Sequence, residues 1–171
     1  MVNNKIGYAC INMQLSYPTK YGNQPRGTER ITTNRSMIRR TFDEKGVDYA
    51  SEICLQNVKD LHKIVAWNIT NGYDFFRISS DMSPWKTEYE WEDLKDIKEI
   101  KQWFHSVGTM ATTHGIRLTS HPGPFNVLVS PHEHVVENCI KDLTIHGDEF
   151  DMMGLSRTPY NKINIHLGGV Y

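Results

Sequence analysis

A chain of 171 residues is long enough for one domain with a core and too short for two, and its net charge of -1 leaves any attraction to nucleic acid to a local patch. Three widely spaced cysteines, Cys10, Cys54 and Cys139, form no CxxC pair, which argues against a disulfide framework or a zinc-cysteine site and for reduced core thiols. The N-terminus carries no signal-peptide pattern and no apolar run nears the ~20 residues of a membrane span, so a soluble, intracellular, cytoplasmic protein is expected.

Ile6 to Asn12 reads as a first strand that ends on a polar residue. A polar connection rich in Pro, Gly, Asn and Tyr follows, from Met13 to Thr33. Between Lys20 and Arg40 the bases Lys20, Arg26, Arg30, Arg35, Arg39 and Arg40 meet a single acid, Glu29. Such a run is either a solvated surface or a contact for phosphates. A short helix around residues 35–44 is predicted to stop near Gly46. A longer one over 49–71 carries Cys54, Val58, Leu61, Val65 and Ile69 on one face and ends at Asn71-Gly72.

Asp74 to Ser79 is a second predicted strand, again closing on polar groups, Ser79, Ser80 and Asp81. A helix over 92–114 places Ile97, Ile100, Phe104, Val107 and Ala111 on one face, with Gly115 as its stop. The third strand starts at Ile116 and ends at His121, where Pro122, Gly123 and Pro124 force a turn. Ser130-Pro131-His132-Glu133 has the pattern of a helix start, with Ser130 as cap, and Val136, Cys139, Ile140, Leu143 and Phe150 form the buried side of that helix. Lys162 to Leu167 is the fourth predicted strand, followed by Gly168-Gly169.

Strands alternating with amphipathic helices call for a parallel sheet. Every strand ends on potentially functional groups: Asn12, Ser80 with Asp81, His121 and His166. That recurrence favours an α/β fold of the (β/α) barrel type, whose active site gathers side chains from successive strand ends. About four parallel βα units are expected, a partial TIM barrel forming a single domain over residues 1–171. His121 and His166, on consecutive strands ~4.8 Å apart, can grip one metal ion, with Asp81 as a weaker carboxylate ligand. A strand-end histidine can equally be a hydrogen-bonded structural residue. The remaining histidines suit surface or helix-end roles; His132 and His134, two apart, are expected on different faces of a helix.

Six segments appear in a fixed order: Gly7-Tyr8-Ala9-Cys10-Ile11-Asn12, Thr33-Asn34-Arg35, Phe76-Arg77-Ile78-Ser79-Ser80 with Pro84, Ser120-His121-Pro122-Gly123, Ser130-Pro131, and His166-Leu167-Gly168-Gly169 with Tyr171. Together they resemble the N-terminal half of the UV-damage endonuclease family. The resemblance implies a TIM-barrel DNA repair nuclease that nicks the backbone 5′ of pyrimidine dimers and 6-4 photoproducts. It also implies divalent metal at the strand ends, Mn2+ foremost with Zn2+ or Mg2+ as alternatives. His121 and His166 match metal-binding histidines, and Asp81 falls where some members have a further one. Tyr8 and Asn12 match residues of the lesion-binding groove, and Arg35 and Arg39 are the candidate phosphate contacts. UV-damaged double-stranded DNA is the implied partner.

The sequence departs from the family pattern in two ways. A Gln-Tyr pair that wedges into the duplex is replaced here by Pro124 and Phe125, which keeps an apolar wedge and loses an amide. The family's later Glu, Asp and His ligands have no counterpart up to Tyr171. The expectation is a half barrel completed by a second polypeptide or a homodimer, or else an inactive DNA-binding fragment. An apurinic-site endonuclease or sugar isomerase of the xylose-isomerase-like barrel type is the alternative enzyme class.

Overall fold

The computed structural model describes residues 5–165. Three short extended segments make a parallel sheet: β1 (Gly7–Ala9), β2 (Phe75–Ile78) and β3 (Arg117–Ser120), in the order β1-β2-β3. Tyr8 lies beside Phe76, and Phe76 beside Leu118. Parallel neighbours cannot be joined by a tight turn and need a crossover. Helices supply it: α1 (Met13–Ser16) and α2 (Arg39–Asn71) between β1 and β2, and α3 (Ile97–Thr113) between β2 and β3. Helix α4 (Glu133–Met152) follows β3.

Side chains alternate across a strand, so each strand divides its residues between two faces. Phe76, Ile78 and Leu118 enter one fully buried cluster with Val58, Leu61, Ile64 and Val65 of α2 and Ile100, Phe104 and Val107 of α3. Burying a Leu or Phe side chain contributes roughly 1.5–3 kcal/mol, so this layer is the main source of stability. The periodicity expected for α2 and α3 is the observed one: Cys54, Val58, Leu61 and Val65 are buried, with Ile69 packed partly against them. The α3 backbone also touches the end of α4. A Cβ at Gly108 would meet the Met153 carbonyl oxygen at 1.7 Å, so only glycine permits this crossing.

The stop predicted near Gly46 is present: Gly46 takes φ 67°, ψ -162°, outside helical geometry, so the span labelled α2 is two helices that meet at this break. Other expectations are corrected. Helix α4 starts at Glu133 with His132 as its N-cap and no capping side chain. Ser130 Oγ instead accepts from the His132 N–H at 3.2 Å, holding a bend before the helix. Ile140, expected inside, is exposed, while Ile145 and His146 are buried. His132 and His134 do not diverge on a helix: their rings lie 5.9 Å apart across the helix start. Of the fourth strand, one parallel bridge is present, Ile163 beside Ser120. His166 and the segment after it lie outside the described residues, so three strands and that bridge make up the described sheet.

Candidate active site at the carboxyl end of the sheet

The strands all deliver their last residues to one rim. At the end of β1 the chain turns through Cys10, at φ 60°, whose N–H donates to the Arg77 carbonyl at 2.8 Å. Asn12 then serves two neighbours: its Oδ1 accepts from Leu15 N at 3.1 Å, capping α1, and its Nδ2 donates to Tyr8 Oη at 2.7 Å. Tyr8 Oη donates in turn to Asn68 Oδ1 at 2.5 Å. Burial outweighs these hydrogen bonds and pushes the Tyr8 phenol up to about 12, so it remains a proton donor at neutral pH. Tyr8 and Asn12, with Trp67 and Tyr73, line an open cleft of about 260 Å³.

Beyond β2 the loop carries Ser80 and Asp81, both exposed. Neighbouring protein atoms partly desolvate the Asp81 carboxyl and raise its pKa. Its backbone is fixed from below: the buried Asn57 amide of α2 donates to the carbonyls of Arg35, Asp81 and Met82 at 2.9, 3.1 and 3.2 Å. A polar residue inside the buried stripe of α2 is the one sequence signal for this anchor.

His121 is half-buried at the end of β3, and Pro122 and Gly123 behind it are buried. Asn126 closes the turn, its Nδ2 donating to Gly123 O at 3.1 Å and to Asp142 Oδ2 at 2.7 Å. Pro124 and Phe125 therefore project outward, with Phe125 69% exposed.

Under this rim lies a buried polar group missed by sequence reasoning. His146 of α4 is 2% exposed rather than a surface residue. Its Nδ1 lies 3.0 Å from Ser120 Oγ and 3.5 Å from Glu149 Oε2, and its Nε2 faces Asp142 Oδ2 at 3.9 Å. Burial by itself lowers the imidazole pKa. The hydrogen bond and charge of Glu149, with the charge of Asp142, more than offset that and raise it above the usual 6.5. Glu149, 1% exposed, also accepts from Ser83 Oγ at 2.7 Å. Four helical steps between Asp142 and His146 and three to Glu149 put these groups on one face, which was the available signal. They line a cleft of about 310 Å³ that also reaches Asp81, Trp85 and Phe125.

The two candidate phosphate contacts are already engaged. Arg35 donates to Asp60 Oδ2 at 2.5 Å and to the carbonyls of Thr32 and Arg30, both at 2.6 Å. Arg39 bridges Asp43 at 2.8 Å and Glu88 at 3.2 Å, and is 55% exposed. His121 and Asp81 are an imidazole and a carboxylate, donors of the kind a divalent cation takes. In number they are short: among the described residues no three His, Cys, Asp or Glu side chains gather as a metal site.

The family model described as UV-endonuclease UvdE matches residues 4–171. The chain belongs to that family. It is 34% identical to a UV DNA damage endonuclease of Clostridium perfringens over 98% of its own length and 36% of that protein's. It is 32% identical to a UV-damage endonuclease of Schizosaccharomyces pombe, covering 98% of this chain and 26% of the relative. The crystal structure of SacUVDE superposes with a TM-score of 0.71 at 26% identity, over 95% of this chain and 48% of that one. The chain thus spans half or less of the length of these UvdE relatives. Among the described residues no helix is long and apolar enough to cross a membrane.

Proposed function

We propose that this chain provides the first half of a metal-dependent UV-damage DNA endonuclease. Its three βα units correspond to part of a closed TIM barrel, and the chain spans half or less of the relatives it matches. The observation that carries the reading is the UvdE family match over residues 4–171, which includes every rim residue. His121, His166 and Asp81 are the proposed ligands of a divalent ion, Mn2+ first. Such an ion would supply a Lewis acid for a phosphodiester and an activated water.

The chain's own residues have separate tasks. Tyr8, protonated at neutral pH, and Asn12 offer hydrogen bonds and an aromatic wall to a displaced pyrimidine pair. Displacement costs least where pairing is already damaged. Phe125, projecting with Pro124 from the turn after His121, wedges between base steps. Arg39 reaches phosphate by exchanging its surface carboxylates for the DNA backbone, while Arg35 orders the loop beside it.

The direct test is nicking of irradiated supercoiled plasmid with Mn2+, by the chain alone and mixed with a polypeptide supplying the remaining barrel strands. Nicks at dimers in the mixture, lost with chelator and with His121→Ala, are expected. Equal nicking of irradiated and unirradiated plasmid, or cleavage confined to apurinic sites, would overturn the assignment.

A further inference from the structure

Three pieces of backbone carry the rim: the loop after β2 with Asp81, the end of β3 with His121, and the segment around Ile163. One buried pair on α4 touches the first two directly and the third through Ser120. Ser83, two residues after Asp81, donates its hydroxyl proton to Glu149 Oε1 at 2.7 Å. Having given that proton away, Ser83 Oγ accepts from the Cys54 thiol at 3.5 Å, which ties the loop to α2 as well. Ser120, the residue before His121, is 0% exposed and meets His146 Nδ1. The backbone of Ser120 holds the next segment, its N–H donating to Lys162 O at 3.1 Å and its carbonyl accepting from Asn164 N at 2.9 Å.

We infer that Glu149 and His146 act as positioning residues, a rigid brace that sets the loop bearing Asp81 and the strand end bearing His121 in register with each other. The pair has the form such a brace requires. Both side chains are almost fully buried, so neither is averaged by solvent, and both come from one helix turn, so their spacing is fixed. A core filled for stability alone would place aliphatic residues here. A buried carboxylate is costly unless it is partnered, and Glu149 Oε2 has only the 3.5 Å contact with His146. What the pair adds is direction: hydrogen bonds fix the orientation of Ser83 and Ser120, which dispersion contacts do not.

The metal readout rests on the proposed function; a second readout does not. Hydrogen exchange would be followed on the full chain at segments 79–83 and 117–123, with Mn2+ affinity measured in parallel. Glu149→Gln preserves size and removes charge, His146→Leu removes both ring nitrogens, and His146→Asn restores a polar atom at the Nδ1 position. In Glu149→Gln and His146→Leu the two segments, some forty residues apart in sequence, exchange about tenfold faster together while α2 and α3 keep their protection. Mn2+ binding weakens by roughly 10–100-fold. His146→Asn recovers most of both effects, and exposed His105→Leu changes neither. Should His146→Leu not fold, Ser120→Ala removes the same contact by deleting one oxygen. Unchanged exchange in both segments, or loosening spread evenly over the chain, overturns the brace. If the segments loosen together while neither the wild-type chain nor its mixture with a polypeptide supplying the remaining barrel strands holds Mn2+, the metal reading falls and the brace stands.

Discussion

Two helical surfaces meet the same small sheet in opposite ways. Helices α2 and α3 cover it mainly with the apolar side chains Leu61, Ile64, Val65, Phe104 and Val107. Helix α4 approaches β3 with His146 and Glu149, reaching Ser120 and Ser83 through hydrogen bonds. Apolar contact is non-directional and scales with area, so the first surface supplies stability and tolerates small shifts. A buried hydrogen-bond network is directional and intolerant of a missing member. The apolar layer holds the sheet, while polar groups aim its ends: Asn57 and Asn68 of α2 for the loop after β2 and for Tyr8, and His146 and Glu149 of α4 for Ser120 and Ser83.

Phe104→Ala should show the largest effect. It removes a fully buried ring from the apolar layer and should destabilise the chain by about 3–5 kcal/mol in urea unfolding. A loss below 1 kcal/mol would mean that this layer is not the main support. Gly108→Ala comes next, at roughly 1–3 kcal/mol, because the new methyl collides with the Met153 carbonyl and forces α3 and α4 apart. It also tests whether the two surfaces are coupled through that crossing: the 79–83 segment should loosen along with α4.

A smaller effect is expected from pH, and on the α4 side only. His146 has its pKa raised in the folded chain, so protonation there is linked to folding. Its stabilising contribution is full below the ordinary value of 6.5 and is lost as pH rises through the higher folded value. Melting curves of wild type and His146→Asn should therefore lie furthest apart in mild acid and converge in alkali. A gap that widens with rising pH would show the sign to be wrong. Phe125→Ala should be the smallest in stability, within about 0.5 kcal/mol, since the ring is largely in solvent. Under the proposed function it should nonetheless narrow the preference for irradiated over intact duplex in a binding titration.

The apolar surface was the legible one. A stripe such as Cys54, Val58, Leu61 and Val65 has one physical meaning, and the strands read as Phe75–Ile78 and Arg117–Ser120 lie within the predicted spans. The polar surface was legible only where it ended strands. His121 could be singled out because a Pro-Gly turn follows it, whereas His146 looked like any helix histidine. Ile145-His146-Gly147 alone does not show the ring turning inward; beyond the helical spacing to Asp142 and Glu149, its burial depends on Ser120 arriving from a distant segment. Arg35 posed the reverse problem: a cation in a basic run reads as surface charge, yet the buried Asp60, 25 residues away, takes it into a half-buried bridge. The start of α4 was misplaced because Ser130 bonds locally to the His132 N–H, a competing use of a capping side chain.

The bend at Gly46 has a consequence for how the molecule opens. Beyond it α2 is welded to the sheet, but the turns before it are attached chiefly by Phe42, stacked on Trp85 at 5.8 Å and Tyr89 at 6.2 Å. The broken helical ladder gives residues 39–45 no share in the cooperativity of the long segment. The break at Gly46 predicts that they open as a separate unit, latched by aromatic rings and the Arg39–Glu88 pair, with faster hydrogen exchange than the helix beyond.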